Sequence, residues 1–263
     1  MSEHVLSEVS GGVLTLTLNR PEKKNALTRA MYQALADGID RADADAGIHC
    51  VLIQANGDMF TAGNDLADFA AVNRGEQDAN AAREGGNPLL NALERAKTPI
   101  VAAVNGRAVG VGTTMLLHCD LVYVTPDALL TTPFVNLALV PEAASSMLLP
   151  ARIGHARAFA MFVLGEAVDA AKAVDWGLAN AVVAAAELRA KARAAAEAVA
   201  SRAPASVAAT KALMRRPAET IKERYAEEGR LFAAQLKSPE AAEAFAAFAE
   251  KRQPDFAKTR EPA

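Results

Sequence analysis

Cysteine is scarce in this 263-residue chain, which has only Cys50 and Cys119. Both lie inside apolar stretches, where a free thiol behaves as a small core residue. Neither has metal-ligand spacing or the density of a disulfide framework, so a reducing, cytoplasmic setting is expected. Basic residues are not in excess either. Lys and Arg total 28 against 31 Asp and Glu, a formal net charge of -3. That argues against a nucleic-acid partner, because phosphate backbones are held by basic surfaces. No uninterrupted apolar run reaches the roughly 18 residues of a membrane span. The first ten residues carry Glu3 and Glu8 and lack the basic-then-apolar pattern of a secretory signal. Neither membrane association nor export is therefore expected. The four histidines, His4, His49, His118 and His155, share no ligand spacing, so no metal site is expected. Gly110-Val111-Gly112 has no third glycine at the dinucleotide interval and no Gly-Lys-Ser/Thr after it, which excludes those two phosphate-binding fingerprints.

What remains is ordinary globular material, 51% apolar and 22% charged, long enough for one large domain or a domain with an appendage. Val5 to Val9 and Val13 to Leu18 read as two strands joined by Gly11-Gly12, with Leu14, Leu16 and Leu18 alternating with Thr15 and Thr17. Thr28 is positioned to cap a helix running to about Ala46, with Met31, Leu35 and Ile39 on one face. Further strands are expected at Cys50 to Ala55, Val101 to Val104, Leu129 to Thr131 and Ala179 to Val183, and helices at Leu89 to Ala96, Gly154 to Leu164 and Asp169 to Trp176. Pro141 to Ser146 is expected to start another helix. Strands separated by helices over residues 1–183 predict an α/β core with a largely parallel sheet. Residues 184–263 read as helical, with breaks at Pro204, Pro217 and Pro239. Their apolar positions, among them Leu213, Ile221, Phe232, Leu236, Phe245 and Phe248, need cover from the core or from another subunit. The polar, alanine-rich stretch from Asp68 to Pro88 reads as a helical or loop segment over a binding site.

Two glycine-bearing stretches stand out. Gly110 and Gly112 let the backbone around Val111 adopt conformations closed to other residues, and a helix starting there points unpaired N–H groups and its positive end at one place. Gly63, in Phe60-Thr61-Ala62-Gly63-Asn64-Asp65-Leu66, has the same freedom. Taken alone, these stretches fit an anion-stabilising turn or a plain strand-to-helix turn, and the residues leave both open.

Three separated motifs together resemble the crotonase superfamily, the enoyl-CoA hydratase/isomerase fold. They are Leu18-Asn19-Arg20-Pro21-Glu22-Lys23-Lys24-Asn25-Ala26-Leu27, the Phe60 to Leu66 stretch, and Val104 to Gly112 with Cys119-Asp120. Gly165-Glu166-Ala167, Gly177-Leu178-Ala179 and Glu250 to Phe256 agree with it. The resemblance implies a spiral of ββα repeats, a helical C-terminal trimerisation region, and a homo-oligomer, either a trimer or a hexamer of two trimers. It implies a coenzyme A thioester as substrate, with CoA part of that substrate and no separate cofactor. By motif position, the peptide N–H groups of Asn64 and Val111 would form the oxyanion hole. Ala26 and Ala62 would receive the adenine end, and Gly63, Asp65, Leu66, Gly110, Thr114, Phe134 and Leu137 would line the substrate. Asp65 would brace the oxyanion loop, and Asp120 would cap the strand after the helix. Lys23, Lys24, Arg29 and Lys251 would meet CoA phosphates or face solvent.

Hydratases of this superfamily carry two glutamates that activate water; the matching positions here hold Thr114 and Phe134. A single carboxylate, Glu142, follows Pro141 instead. The run Thr132-Pro133-Phe134-Val135-Asn136-Leu137 ahead of Val140-Pro141-Glu142-Ala143-Ala144-Ser145-Ser146 is similar to peroxisomal-type Δ3,Δ2-enoyl-CoA isomerases, which keep one glutamate there. The resemblance thus implies an isomerase with Glu142 as its one base. A hydratase with atypical acid/base groups and a non-catalytic acyl-CoA-binding homologue are the alternatives.

Overall fold

The computed structural model of the protein describes residues 3–65, 67, 74, 87–215, 220–252 and 254. Leu66, most of the 68–88 stretch, Pro217 and the end of the Glu250 to Phe256 motif lie outside the described residues.

Alternating apolar residues build the main sheet. Strands β1 (Val5–Ser10) and β2 (Val13–Leu18) pair antiparallel. β2 then pairs in parallel with β3 (Cys50–Ala55), β3 with β4 (Ile100–Val104), and so on outward. One face of the sheet, carrying Leu14, Leu16, Val51, Ile53, Ala102 and Val104, packs in the core with helix α1 (Arg29–Ala44) and helix α2 (Pro88–Arg95). The opposite face carries Val13, Cys50, Leu52, Val101 and Ala103. Burial of both faces is what near-continuous apolar runs such as Ile100 to Val104 require. Thr28 caps α1, its hydroxyl accepting from Met31 N. The thiols of Cys50 and Cys119 are buried, and desolvation pushes both up to about 12.

A second, smaller sheet runs beside the first and makes the architecture a spiral. β5 (Arg107–Val109) pairs in parallel with β7 (Leu129–Thr131), which meets β8 (Val168–Asp169). The isolated bridges Leu27 to Asn64 and Thr61 to Ala108 extend the same layer towards the N-terminus. Between β5 and β7, the chain returns to the main sheet as β6 (Leu121–Val124), next to β4. Each turn of the spiral thus contributes one strand to each layer.

Between β5 and β6 lies a single helical turn, α3 (Val111–Thr114), continued to His118 in tighter form. The glycine turn at Gly110 thus leads from the short strand β5 into a helix and on to β6. Helix α4 (Ser145–Ile153) begins at Ser145, later than expected, because Ala143 and Ala144 adopt left-handed φ of 59° and 54° and the helix cannot start through them. The last strand of the main sheet, β9 (Ala181–Val182), is shorter than the expected Ala179 to Val183.

The helical C-terminal region is not a separate layer at its start. Helix Leu188–Ala200 lays Leu188, Ala192 and Ala196 over the second face of the main sheet, so the core extends past residue 183. Pro204 and Pro239 begin helices Pro204–Met214 and Pro239–Ala249 rather than breaking one, since proline's missing N–H is harmless in a first turn. Lys211 of the first of these is buried and reaches Asp120 Oδ2 at 2.8 Å and Thr98 O at 2.7 Å. Asp120 Oδ2 also accepts from Ile100 N at 2.7 Å, so it caps the start of β4 and anchors the C-terminal helices to the core. Among the described residues, no helix is long and apolar enough to cross a membrane.

Candidate active site

The two glycine stretches meet. Thr61 N donates to Arg107 O at 3.2 Å and Val109 N donates to Thr61 O at 3.1 Å, which sets the Asn64 loop against the turn ahead of α3. Gly63 has φ +88°, and a Cβ there would stand 2.7 Å from the Val109 carbonyl oxygen, so only glycine allows this approach. Gly110, at φ 55° and ψ -118°, turns the chain into α3. Among the described residues, neither the Asn64 N–H nor the Val111 N–H is used in a hydrogen bond, whereas the neighbouring Leu27, Asp65, Gly110 and Thr113 N–H groups all are. Two unspent backbone donors on adjacent loops, one at a helix start, can stabilise an oxygen that gains negative charge.

Asp65 braces this loop. Its Oδ2 accepts from Arg20 Nη1 at 2.8 Å and its Oδ1 from Ala67 N at 3.1 Å, while Arg20 Nη1 also donates to Ala26 O. Burial alone would raise the Asp65 carboxyl; the Arg20 hydrogen bond and charge outweigh it and hold it below the usual carboxylate range. Asn25, fully buried at φ 53°, joins the same scaffold by donating to Asn56 O and Met59 O. Ala62, half-buried, is held by a bond from its N–H to Lys24 O, beside the half-buried Ala26.

Glu142 is buried, at 9% exposure, in the loop between β7 and α4. Its carboxylate is near enough to Tyr32 on α1 to act on that hydroxyl. The Tyr32 hydroxyl donates to Asn64 Oδ1 and also bonds the Asn87 side chain. Burial first, and the nearby Glu142 carboxylate second, push the Tyr32 hydroxyl pKa well above its ordinary value. Tyr32 thus links the two stretches: its hydroxyl bonds the Asn64 side chain and feels the Glu142 charge. Tyr225 adjoins it, its hydroxyl accepting from Asn87 N at 2.7 Å.

Phe134, 5% exposed, lies close to Gly110 and stacks obliquely on Phe162, with ring centres 6.3 Å apart. Leu139 is buried and Leu137 half-buried against the same core, so the wall beside the turn is apolar. Thr114 is fully buried, and its hydroxyl is directed at Val111 O of its own helix. Lys23 and Lys24 are exposed, Lys24 in an ion pair with Asp58 at 2.7 Å; Lys251 is exposed near the C-terminus. Among the described residues, no three His, Cys, Asp or Glu side chains converge as metal ligands.

Sequence reasoning passed over Tyr32, Arg20, Asn25 and His118. Tyr32 was legible in part, since it lies on the same helical face as Met31 and Leu35. His118, a histidine inside an apolar run, is buried and donates Nε2–H to Ala143 O at 2.8 Å. Burial lowers its pKa from 6.5 to about 4; the Ala143 bond opposes the shift, and the facing charges of Arg215, Arg152 and Lys211 add to it. Folded His118 thus stays neutral where unfolded histidine takes up a proton. Its contribution to stability is complete above pH 6.5 and is lost as pH falls towards 4. At about 1.4 kcal/mol per pH unit, the loss between pH 6.5 and 5 is about 2 kcal/mol. Unfolding free energies from urea titrations should drop between pH 7 and 5 by that much more for the wild type than for His118→Gln, and equal drops would refute this.

Residues 8–259 match the enoyl-CoA hydratase/isomerase family model. The 1,2-epoxyphenylacetyl-CoA isomerase of Escherichia coli is 36% identical over 70% of this chain and 71% of its own. The rat enoyl-CoA delta isomerase 2 is 37% identical over 69% of this chain, which spans 46% of the rat protein. Other matched relatives carry hydratase names. A crystal structure of an enoyl-CoA hydratase/isomerase from Pseudoalteromonas atlantica superposes with a TM-score of 0.89 at 45% identity, covering 97% of this chain and 100% of that one. The chain belongs to the enoyl-CoA hydratase/isomerase family, the crotonase superfamily, and has its fold.

Proposed function

We propose that the protein is a Δ3,Δ2-enoyl-CoA isomerase with Glu142 as its single acid/base. The observation that carries this reading is a single carboxylate. One buried carboxylate acts on Tyr32, whose hydroxyl bonds Asn64, while the positions that hold glutamates in hydratases carry Thr114 and Phe134. Adding water needs groups that position and activate it, whereas moving a double bond needs only one base that can give its proton back.

The thioester carbonyl of a 3-enoyl-CoA accepts from the Asn64 and Val111 N–H groups. Glu142 takes the C2 proton, and the C–H electron pair forms the C1–C2 double bond of a dienolate whose oxygen carries the charge. Collapse of the enolate shifts the pair through C2–C3 to C4, which takes the proton from Glu142, leaving the 2-trans double bond. Phe134, Leu137 and Leu139 keep water from the dienolate. The rat relative's name, a delta isomerase, supports the same reaction class. An assembly of three or six copies, with Lys251 from a neighbour meeting CoA phosphates, belongs to the same proposal. Exposed Phe159, Leu164 and Phe248 support the need for cover.

The test is incubation with 3-hexenoyl-CoA, where the conjugated thioester absorbance should appear. No product where a control isomerase works rejects the isomerase. Solvent oxygen entering 2-hexenoyl-CoA at comparable turnover would favour the hydratase instead.

A further inference from the structure

The turn that carries Glu142 is strained. Ala143 and Ala144 follow it at φ 59° and 54°, a left-handed pair unfavourable for residues with a Cβ, and both are buried. Such a pair persists only where its surroundings hold it, and the carbonyl bonds show what does. Glu142 O accepts from Ser145 N at 3.0 Å, and Ala144 O accepts from Met147 N and Leu148 N. Helix α4 therefore satisfies the carbonyls on either side of Ala143 and skips Ala143 O, which points inward to His118 Nε2 at 2.8 Å. A carbonyl can only accept, so Nε2 carries the proton and the ring is the Nε2–H tautomer.

His118 is itself held. Its carbonyl accepts from Arg215 Nη2, beyond helix Pro204–Met214, and the preceding Leu117 O accepts from Arg152 Nη2 of α4 at 3.1 Å. The ring belongs to the segment that begins at Val111, so one short helical piece carries an oxyanion donor at its start and the Ala143 clamp at its end.

We propose that His118 is a positioning residue that fixes the Glu142 carboxyl relative to the Val111 N–H by holding the Ala143-Ala144 turn through Ala143 O. This rests on Glu142 being the base. It makes the distance between base and oxyanion hole a property of one rigid segment, and misplacement by about 1 Å can cost roughly 100-fold in rate.

Three variants read the bond. His118→Gln places an amide N–H near the position of Nε2, His118→Asn is a methylene too short to reach, and His118→Leu has no donor. With 3-hexenoyl-CoA, the Leu and Asn variants should lose about 10- to 100-fold in kcat, with KM and CoA affinity within about twofold of wild type, while Gln stays within a few-fold of wild type. If His118→Leu does not fold, the Asn and Gln pair decides alone. Folded Asn and Leu variants with wild-type kcat overturn the proposal, as does a Gln variant as slow as Asn. Glu142→Gln, which leaves the His118 bond untouched, separates the two levels. Wild-type turnover in that variant ends the base assignment, whereas its loss together with active Asn and Leu variants ends only the positioning role.

Discussion

Glu142→Gln is expected to lower turnover of a 3-enoyl-CoA by about 10²- to 10⁴-fold, the range that general acid–base groups contribute, while binding of the CoA thioester persists. The amide matches the carboxyl in size, so the buried loop between β7 and α4 keeps its shape. What it loses is basicity: an amide cannot take the C2 proton, and with Thr114 and Phe134 at the other family positions no second carboxylate takes over. Tyr32 is a poor substitute, since burial raises its hydroxyl pKa well above the ordinary value and keeps it protonated. Burst and steady-state kinetics, with calorimetric titration of a non-reactive acyl-CoA, give the two readouts. A variant that turns over at the wild-type rate removes Glu142 from the mechanism; one that also stops binding makes Glu142 structural.

The second large effect is at Gly63. Gly63→Ala should reduce kcat/KM by about 10²- to 10³-fold, the loss typical of one oxyanion donor. A methyl group would meet Val109 O at 2.7 Å, and the φ of +88° is one that L residues avoid. Relief must come from the loop, because Val109 is held in β5 by Thr61 and the small sheet, and the loop's movement carries the Asn64 N–H away from the Val111 N–H. The fold should survive at reduced stability, since the core faces built from α1 and β2–β4 are untouched, as far-UV circular dichroism would show. Retained activity in a folded Gly63→Ala protein would mean that Asn64 N–H does not bind the carbonyl.

Several features lay open in the residue order. Leu14, Leu16 and Leu18 point the same way because side chains alternate along a strand, and Thr28 caps α1 because a short hydroxyl reaches the free N–H three residues on. The glycines at 63 and 110 marked the two loops because only glycine adopts such backbones cheaply. Pro204 and Pro239 read as breaks in the sequence but start helices in the structure, because a proline that ends one helix fits the first turn of the next.

Local chemistry thus determined the strands, the first helix, the two glycine loops and the presence of one carboxylate after Pro141. It did not determine where that carboxylate goes. Tyr32 meets Asn64 from 32 positions away, His118 reaches Ala143 across 25, and Arg215 comes to His118 from 97. The left-handed Ala143-Ala144 pair is disfavoured by its own residues, and a bond from distant His118 reaches it. Only the folded chain, where long-range hydrogen bonds join segments far apart in sequence, decided that Glu142 is buried and near Tyr32, whose hydroxyl bonds Asn64.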